Sequence, residues 1–143
     1  MSGEMMFGAS FAEAGQWGRA ETILLVEDEA FVRRVTAEIL KSAGYKLVIA
    51  RSAAEALEAH RRCPEPVDLL LADVVMPGMS GRELATEFES LHPGARVLLM
   101  SGYAEQLALS ELSPYGKTYL AKPFSVRTLL RRVREVLDTN PPD

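Results

Sequence analysis

Four places in the chain carry side chains suited to handling an oxyanion: the acidic run Glu27-Asp28-Glu29, the isolated Asp73, the pair Ser101-Gly102, and Lys122-Pro123. Each follows directly on a short apolar run, TILLV, DLLLA, RVLLM and KTYLA in that order. Taken singly, each has an ordinary structural explanation, because acidic residues complement the amino ends of helices and serine caps them. Taken together at the ends of strands, they describe a site. Carboxylates held close repel one another and raise each other's pKa unless a cation intervenes. With only oxygen donors and no His or Cys beside them, the ion that fits is a hard one, Mg²⁺ in particular, shared with a phosphate. Lys122 then acts as a point charge on a phosphoryl oxygen and Ser101 donates its hydroxyl to another. Asp73 can serve as the oxygen nucleophile that forms an acyl phosphate.

The elements that must position these residues are legible in the pattern. Five apolar runs, 22–26, 46–50, 68–72, 96–100 and 117–121, alternate with longer amphipathic stretches, the signature of βα units. Three of the runs are almost continuously Leu, Ile or Val, which suits strands covered on both faces. A first helix over about 30–43 places Val32, Val35, Thr36, Ile39 and Leu40 on one face and stops at Gly44. Ser52 with Glu55, and Ser80 with Glu83, form Ser-x-x-Glu capping boxes that start helices running to about Arg62 and Leu91. A fourth helix over about 104–112 has a weaker stripe, Leu107, Leu109 and Leu112. The last, from near Ser125, stacks Val126, Leu129, Leu130, Val133 and Leu137 and ends at Asn140-Pro141-Pro142. Five such units are too few for an eight-stranded barrel, and right-handed crossovers place helices on both faces of an open sheet. The expected class is α/β, a flavodoxin-like (βα)5 doubly wound parallel sheet of strand order 2-1-3-4-5. In that topology ligands bind at the carboxyl ends of the strands, between strands one and three.

Length and composition bound the rest. The chain has 143 residues, 48% hydrophobic and 25% charged, with a net charge of −4. This is the composition of one globular domain. No apolar run approaches the ~18 residues of a membrane span, and the acidic balance gives phosphate backbones no general attraction, so neither a membrane nor a nucleic acid is an expected direct partner. Residues 1–20 hold four glycines and one basic residue, Arg19. They read as a flexible leader or linker rather than a signal peptide, with one capping box at Ser10 and Glu13 that could start a turn over 11–16. Residues 139–143 read as a tail. The single cysteine, Cys63, cannot form an internal disulfide, so a cytoplasmic location is the default.

On ILLVEDE (23–29), DLLLADVVMPGMSG (68–81), LLMSGY (98–103) and YLAKPF (119–124), the chain resembles the receiver domain of bacterial two-component response regulators over roughly 21–138. The resemblance implies that Asp73 is the phosphoacceptor, that Asp28 coordinates Mg²⁺ directly with Glu27 acting through water, and that the backbone carbonyl of Val75 supplies a further ligand. It makes Ser101 the hydroxyl that follows the phosphoryl group, Lys122 the phosphate-binding lysine before a cis Pro123, and Tyr119 the switch aromatic. Met76-Pro77-Gly78 and Ser80-Gly81 form the loop after the phosphoacceptor. Val75 and Tyr103 tune dephosphorylation; an apolar Val75 orients no attacking water and a bulky Tyr103 shields the acyl phosphate, so a long-lived phosphoprotein is expected.

The implied function is a phosphoacceptor that takes its phosphoryl group from a histidine kinase or a histidine phosphotransfer domain and then reshapes the surface of the fourth helix, fifth strand and last helix. That surface would engage a downstream protein or a second copy of the chain. It is not a turnover enzyme, although it catalyses its own phosphorylation and a slow autophosphatase reaction. Because 21–137 leaves no room for an effector, a single-domain response regulator is expected, with the carboxyl-terminal receiver of a hybrid histidine kinase as the alternative. A haloacid-dehalogenase-type phosphatase would need an Asp two residues after the nucleophile, where Val75 stands. A scaffold receiver that never takes phosphate would not need the intact set. Arg127, Arg131, Arg132 and Arg134 read as a solvated or partner-binding face rather than a nucleic-acid surface. His60 and His92, each near a helix end with no second ligand at metal spacing, read as surface positions.

Overall fold

The computed structural model describes residues 18–62, 66–102 and 119–139. Along the chain run β1 (Thr22–Val26), α1 (Ala30–Ser42), β2 (Lys46–Ala50), α2 (Ala53–Arg62), β3 (Leu69–Asp73), α3 (Gly81–Leu91), β4 (Arg96–Ser101), β5 (Tyr119–Ala121) and α4 (Val126–Asp138). The strands pair in parallel in the order β2-β1-β3-β4-β5, the expected doubly wound sheet. The helix expected over 104–112, the turn over 11–16, Cys63 and the Asn140-Pro141-Pro142 stop lie outside the described residues, so the final helix is α4. No described helix is long and apolar enough to cross a membrane.

Strand residues point alternately to the two faces, and the core divides accordingly. Ile23, Leu25, Leu69, Leu71, Leu98 and Met100 pack with Ile39 and Leu40 of α1 and Leu129, Leu130 and Val133 of α4. Leu24, Val26, Leu70, Ala72, Val97 and Leu99 pack with Ala53 and Ala56 of α2 and Leu84, Ala85 and Phe88 of α3. β1 and β3 are buried throughout because helices cover both faces, which is why, Thr22 and Asp73 at their ends apart, their sequences are continuously apolar rather than alternating. β2, at the sheet edge, is partly exposed at Lys46 and Ile49.

Helix boundaries follow local chemistry. At the end of α1, Gly44 takes φ +100°, its N–H donates to Lys41 O at 3.0 Å and that of Tyr45 to Leu40 O at 3.1 Å, a Schellman closure that a left-handed glycine permits. Ser80 accepts from Glu83 N–H and Glu83 from Ser80 N–H, the reciprocal box expected for α3. At α2 only half of the expected box forms. Ser52 Oγ accepts from Glu55 N–H at 3.1 Å, but Glu55 Oε1 accepts from Arg51 N–H at 3.0 Å instead of from Ser52, because Arg51 also offers its guanidinium to the same carboxylate.

β3 begins one residue later than the apolar run. Asp68 stays outside the strand because its carboxylate accepts from Thr22 N–H at 2.8 Å while its own N–H donates to Thr22 O at 2.9 Å. The start of the domain is fixed to its end as well. Arg134 of α4 donates to Glu21 Oε2 at 2.6 Å, to Asp138 at 2.9 Å and to the Tyr45 hydroxyl at 3.4 Å, and this guanidinium holds the Glu21 carboxyl below its usual range. Gly18 sits so close to the Ala43–Gly44 turn that a side chain there would overlap its backbone. Two more arginines of α4 are also engaged, Arg132 with Glu135 at 2.7 Å and with the Tyr119 carbonyl, and Arg131 with Glu135 at 3.9 Å.

The histidines, expected at the surface, keep part of their area exposed but meet each other. His60, in the last turn of α2, and His92, the carboxyl cap of α3, are both partly buried with ring centroids 5.9 Å apart. Sequence spacing could not show this, because α2 packs beside α3 only in the folded chain.

Candidate functional site

The carboxyl ends of the strands deliver the side chains that the sequence singles out. Asp73 is the last residue of β3 and pairs in register with Met100, while Ser101 ends β4 opposite Ala121 of β5. Hydrogen bonds from Val74 N–H to Met100 O at 2.9 Å and from Lys122 N–H to Ser101 O at 2.8 Å extend the ladder past the last paired residues. Beyond β1, Glu27 N–H donates to Ala50 O at 3.1 Å, so Glu27 still has strand-like support. The Lys122-Pro123 peptide bond is cis.

One ligand atom from each of Glu27, Asp28 and Asp73 lies within 4.8 Å of the others. Their settings differ. Glu27 is fully buried, Asp73 is 7% exposed and Asp28 is open to solvent. Lys122 Nζ lies 3.0 Å from Glu27 Oε1 and also donates to Asp73 Oδ2. The second oxygen of Asp73 accepts from Val75 N–H at 2.9 Å, and the second oxygen of Glu27 from Glu29 N–H at 3.1 Å. Burial pushes the Glu27 carboxyl up to about 7, against the hydrogen bonds from Lys122 and Glu29, with the charge of Asp73 adding to the rise. Burial by itself would lower the Lys122 ammonium, but Asp73 and Glu27 outweigh it and raise the value, so this lysine is charged.

Ser101 Oγ is buried with no hydrogen-bond partner among the described residues. An orphaned buried hydroxyl is costly unless it serves a group that comes and goes. Tyr119 is partly buried against the cluster under α2 and α3. Val75 is 58% exposed immediately after the acidic cluster, and Tyr103 lies outside the described residues.

One supporting residue escaped the sequence reading, and a second, Gly81, was placed there only as a loop glycine. Arg33, one turn into α1, donates from Nη1 to Glu27 O at 2.9 Å and to Asp28 O at 3.3 Å, tying down the loop that carries two of the carboxylates. The one available signal was an arginine near a helix amino end that has no acidic residue in its first turn and no side-chain cap, the reverse of what the helix dipole favours. Gly81, at the start of α3, donates its N–H to Val74 O at 3.0 Å, and a Cβ there would overlap the backbone of Asp73. Only glycine lets α3 approach the end of β3 this closely.

The donor set fits a hard divalent cation. Three carboxylates converge from two strand ends, all donors are oxygen, and the exposed Asp28 leaves room for the waters that Mg²⁺ retains. One ammonium cannot balance three carboxylates; burial is the main cause of the raised Glu27 carboxyl, and the charge of Asp73 adds to it.

Residues 23–134 match the model of the response regulator receiver domain. The sensor kinase CckA of Brucella abortus (strain 2308) is 41% identical over 118 residues, which cover 82% of this chain and 12% of that protein. The response regulator receiver protein CpdR of the same organism is 37% identical over 117 residues, 80% of this chain and 95% of CpdR. Among solved structures, the receiver domain from hybrid histidine kinase CckA superposes with a TM-score of 0.68 at 33% identity, covering 82% of this chain and 99% of that one. A CheY-like receiver domain protein from Methanospirillum hungatei JF-1 gives 0.70 at 32% identity, covering 84% and 95%. The chain therefore spans a small part of one curated relative and almost the whole of another.

Proposed function

The chain belongs to the response regulator receiver domain family of two-component systems, a signalling module rather than a turnover enzyme, and from that premise we propose that Asp73 accepts a phosphoryl group from a phosphohistidine of a histidine kinase or histidine phosphotransfer domain. The observation that carries this reading is the convergence of Glu27, Asp28 and Asp73, two of which, Glu27 and Asp73, also hold Lys122.

Asp28, Glu27, Asp73 and the Val75 carbonyl would hold Mg²⁺, which supplies charge neutralisation between carboxylate and phosphoryl oxygens. Val75 N–H orients Asp73 by holding Oδ1, leaving Oδ2, now bound to Lys122, as the attacking oxygen. As this oxygen bonds to phosphorus, the P–N bond to the donor imidazole breaks and its electron pair stays on that nitrogen. Lys122, displaced from the carboxylate, follows the negative charge onto a phosphoryl oxygen. Ser101 gives its unpartnered hydroxyl to another. Tyr119 then rotates toward the space that Ser101 vacates, shifting a population between two packings by no more than the phosphoryl group's differential contacts. Hydrolysis of the acyl phosphate is slow, because Val75 offers an attacking water nothing to bind.

The module acts in the cytoplasm, as a single-domain regulator whose output passes through a protein partner or a second copy of itself. Its 41% identity with the sensor kinase CckA favours the hybrid-kinase receiver as the second reading. Incubation with a phosphorylated histidine kinase and Mg²⁺ tests the first step. Acid-labile phosphate should appear on the wild-type chain and not on Asp73→Asn. Labelling that persists in the variant overturns Asp73 as acceptor.

A further inference from the structure

Away from the acidic rim, three rings meet where α2 ends beside the end of α3. Phe88, fully buried, lies under both histidines. Its centroid is 4.9 Å from that of His60 at 62° and 5.8 Å from that of His92 at 58°. The two imidazoles are 5.9 Å apart at 64°. His60 Nδ1 is buried and makes no hydrogen bond among the described residues.

Packing alone does not explain the choice of residue. Phe88 needs only an apolar edge above it, and Leu or Phe would provide one without burying a polar nitrogen, which costs free energy when unpaired. Two adjacent imidazoles also repel if both take protons. A cation shared between them removes both penalties, since it occupies lone pairs that would otherwise be orphaned or protonated. The spacing is right for this. An ion about 2.0–2.1 Å from one nitrogen of each ring leaves the ring centroids roughly 5 to 6 Å apart.

From this geometry we infer that His60 and His92 form a two-imidazole binding site for a borderline divalent cation of the Zn²⁺ type. Imidazole selects such ions over Mg²⁺, which prefers oxygen, so the site is chemically separate from the acidic cluster. No third His, Cys, Asp or Glu joins the pair in a metal-binding group among the described residues. Among the described residues, then, the remaining positions on the ion are left to water or to a donor on another molecule. With two protein ligands, binding is on the order of micromolar and exchangeable, unlike a closed four-ligand structural site. The last turn of α2 and the carboxyl cap of α3 lie at the opposite rim of the sheet from Asp73. An ion there pins together the two helices that cover one face, and it acts without touching the phosphoacceptor.

The chain contains two histidines, so its imidazole proton NMR resonances report the site directly. The full chain, in excess Mg²⁺ at about pH 7.5 where imidazole is mostly neutral, is titrated with Zn²⁺ alone. Both imidazoles should shift together along one saturating curve in the micromolar range, while the prior addition of Mg²⁺ moves neither. His92→Gln should weaken the Zn²⁺-induced shift of His60 by about tenfold or more, and His60→Gln should do the same to His92, so either variant suffices if the other does not fold. Resonances that stay still, a shift of one imidazole alone, or an unchanged curve in the folded variant overturns the site.

Discussion

Lys122 Nζ stands 3.0 Å from Glu27 Oε1 while also bonded to Asp73, so one ammonium from the end of β5 holds carboxylates from the ends of β1 and β3. Burial nevertheless leaves Glu27 elevated to about 7. In the absence of divalent ions, the folded chain therefore binds a proton at Glu27 that the unfolded chain releases near the ordinary carboxyl value of 4.5. Stability from this group is fully present below that value and is lost as pH rises toward about 7, by at most ~1.4 kcal/mol per pH unit within the window. The raised Lys122 gives up its contribution only above its ordinary value of 10.5, outside that window. Glu27→Gln should flatten the decline in Tm between about pH 4.5 and 7, by several degrees over the range. Thermal unfolding in a chelator measures it, and parallel curves for the two proteins would mean that Glu27 is ionised throughout.

Ser101 presents the opposite case, a buried group with nothing to hold among the described residues. Removing an unsatisfied hydroxyl takes away a desolvation cost without breaking a bond. Ser101→Ala should leave the resting chain as stable as wild type or more so, by up to about 1 kcal/mol. It should weaken the conformational response to phosphorylation more than phosphate acceptance itself. Unfolding curves together with backbone chemical shifts before and after phosphorylation separate these effects. Equal loss of acceptance and response would refute the division of labour between Ser101 and Asp73.

Arg33 should matter to the acidic site without touching its carboxylates. Its bonds to the Glu27 and Asp28 carbonyls fix the loop conformation that aims Asp28, and supporting bonds of this kind typically change metal affinity by tenfold or more. Arg33→Ala should weaken Mg²⁺ binding by about tenfold, and Arg33→Lys, which keeps the charge but loses the fork, should recover part of it. Calorimetric titration with Mg²⁺ gives the comparison. Unchanged affinity in Arg33→Ala would show that the loop holds its shape alone.

What the sequence revealed and what it hid divide on the same physical line. Asp73, Ser101 and Lys122 were legible because each directly follows an apolar run, and a parallel sheet carries every such position to one rim. The capping box of α3 was legible because its two bonds span three residues. By contrast, Arg51 captures Glu55 at α2, Thr22 captures Asp68 before β3, and Arg33 reaches back to the loop after β1. Each depends on a competing partner that residue type does not announce. The pairing of His60 with His92 depends on how α2 packs against α3, and periodicity, which identifies a helix and its apolar face, says nothing of which helix ends meet.

Val75 holds Asp73 through its backbone and leaves its side chain out. Its N–H donates to Asp73 Oδ1 at 2.9 Å while the residue is 58% exposed, so the side chain can be replaced without disturbing that bond or the core. An isopropyl group beside an acyl phosphate gives an approaching water no acceptor or donor, whereas an amide can orient one for attack on phosphorus. Val75→Asn should therefore shorten the lifetime of the phosphorylated chain by about tenfold, the lower range of what positioning a water contributes. The stability of the unphosphorylated chain should change by less than about 0.5 kcal/mol, as for other exposed substitutions. Following loss of label from Asp73 after removal of the phosphodonor gives the rate, with chain unfolding as the control. If the variant loses phosphate no faster while still folding and accepting it, water access at position 75 does not set the lifetime of the signal.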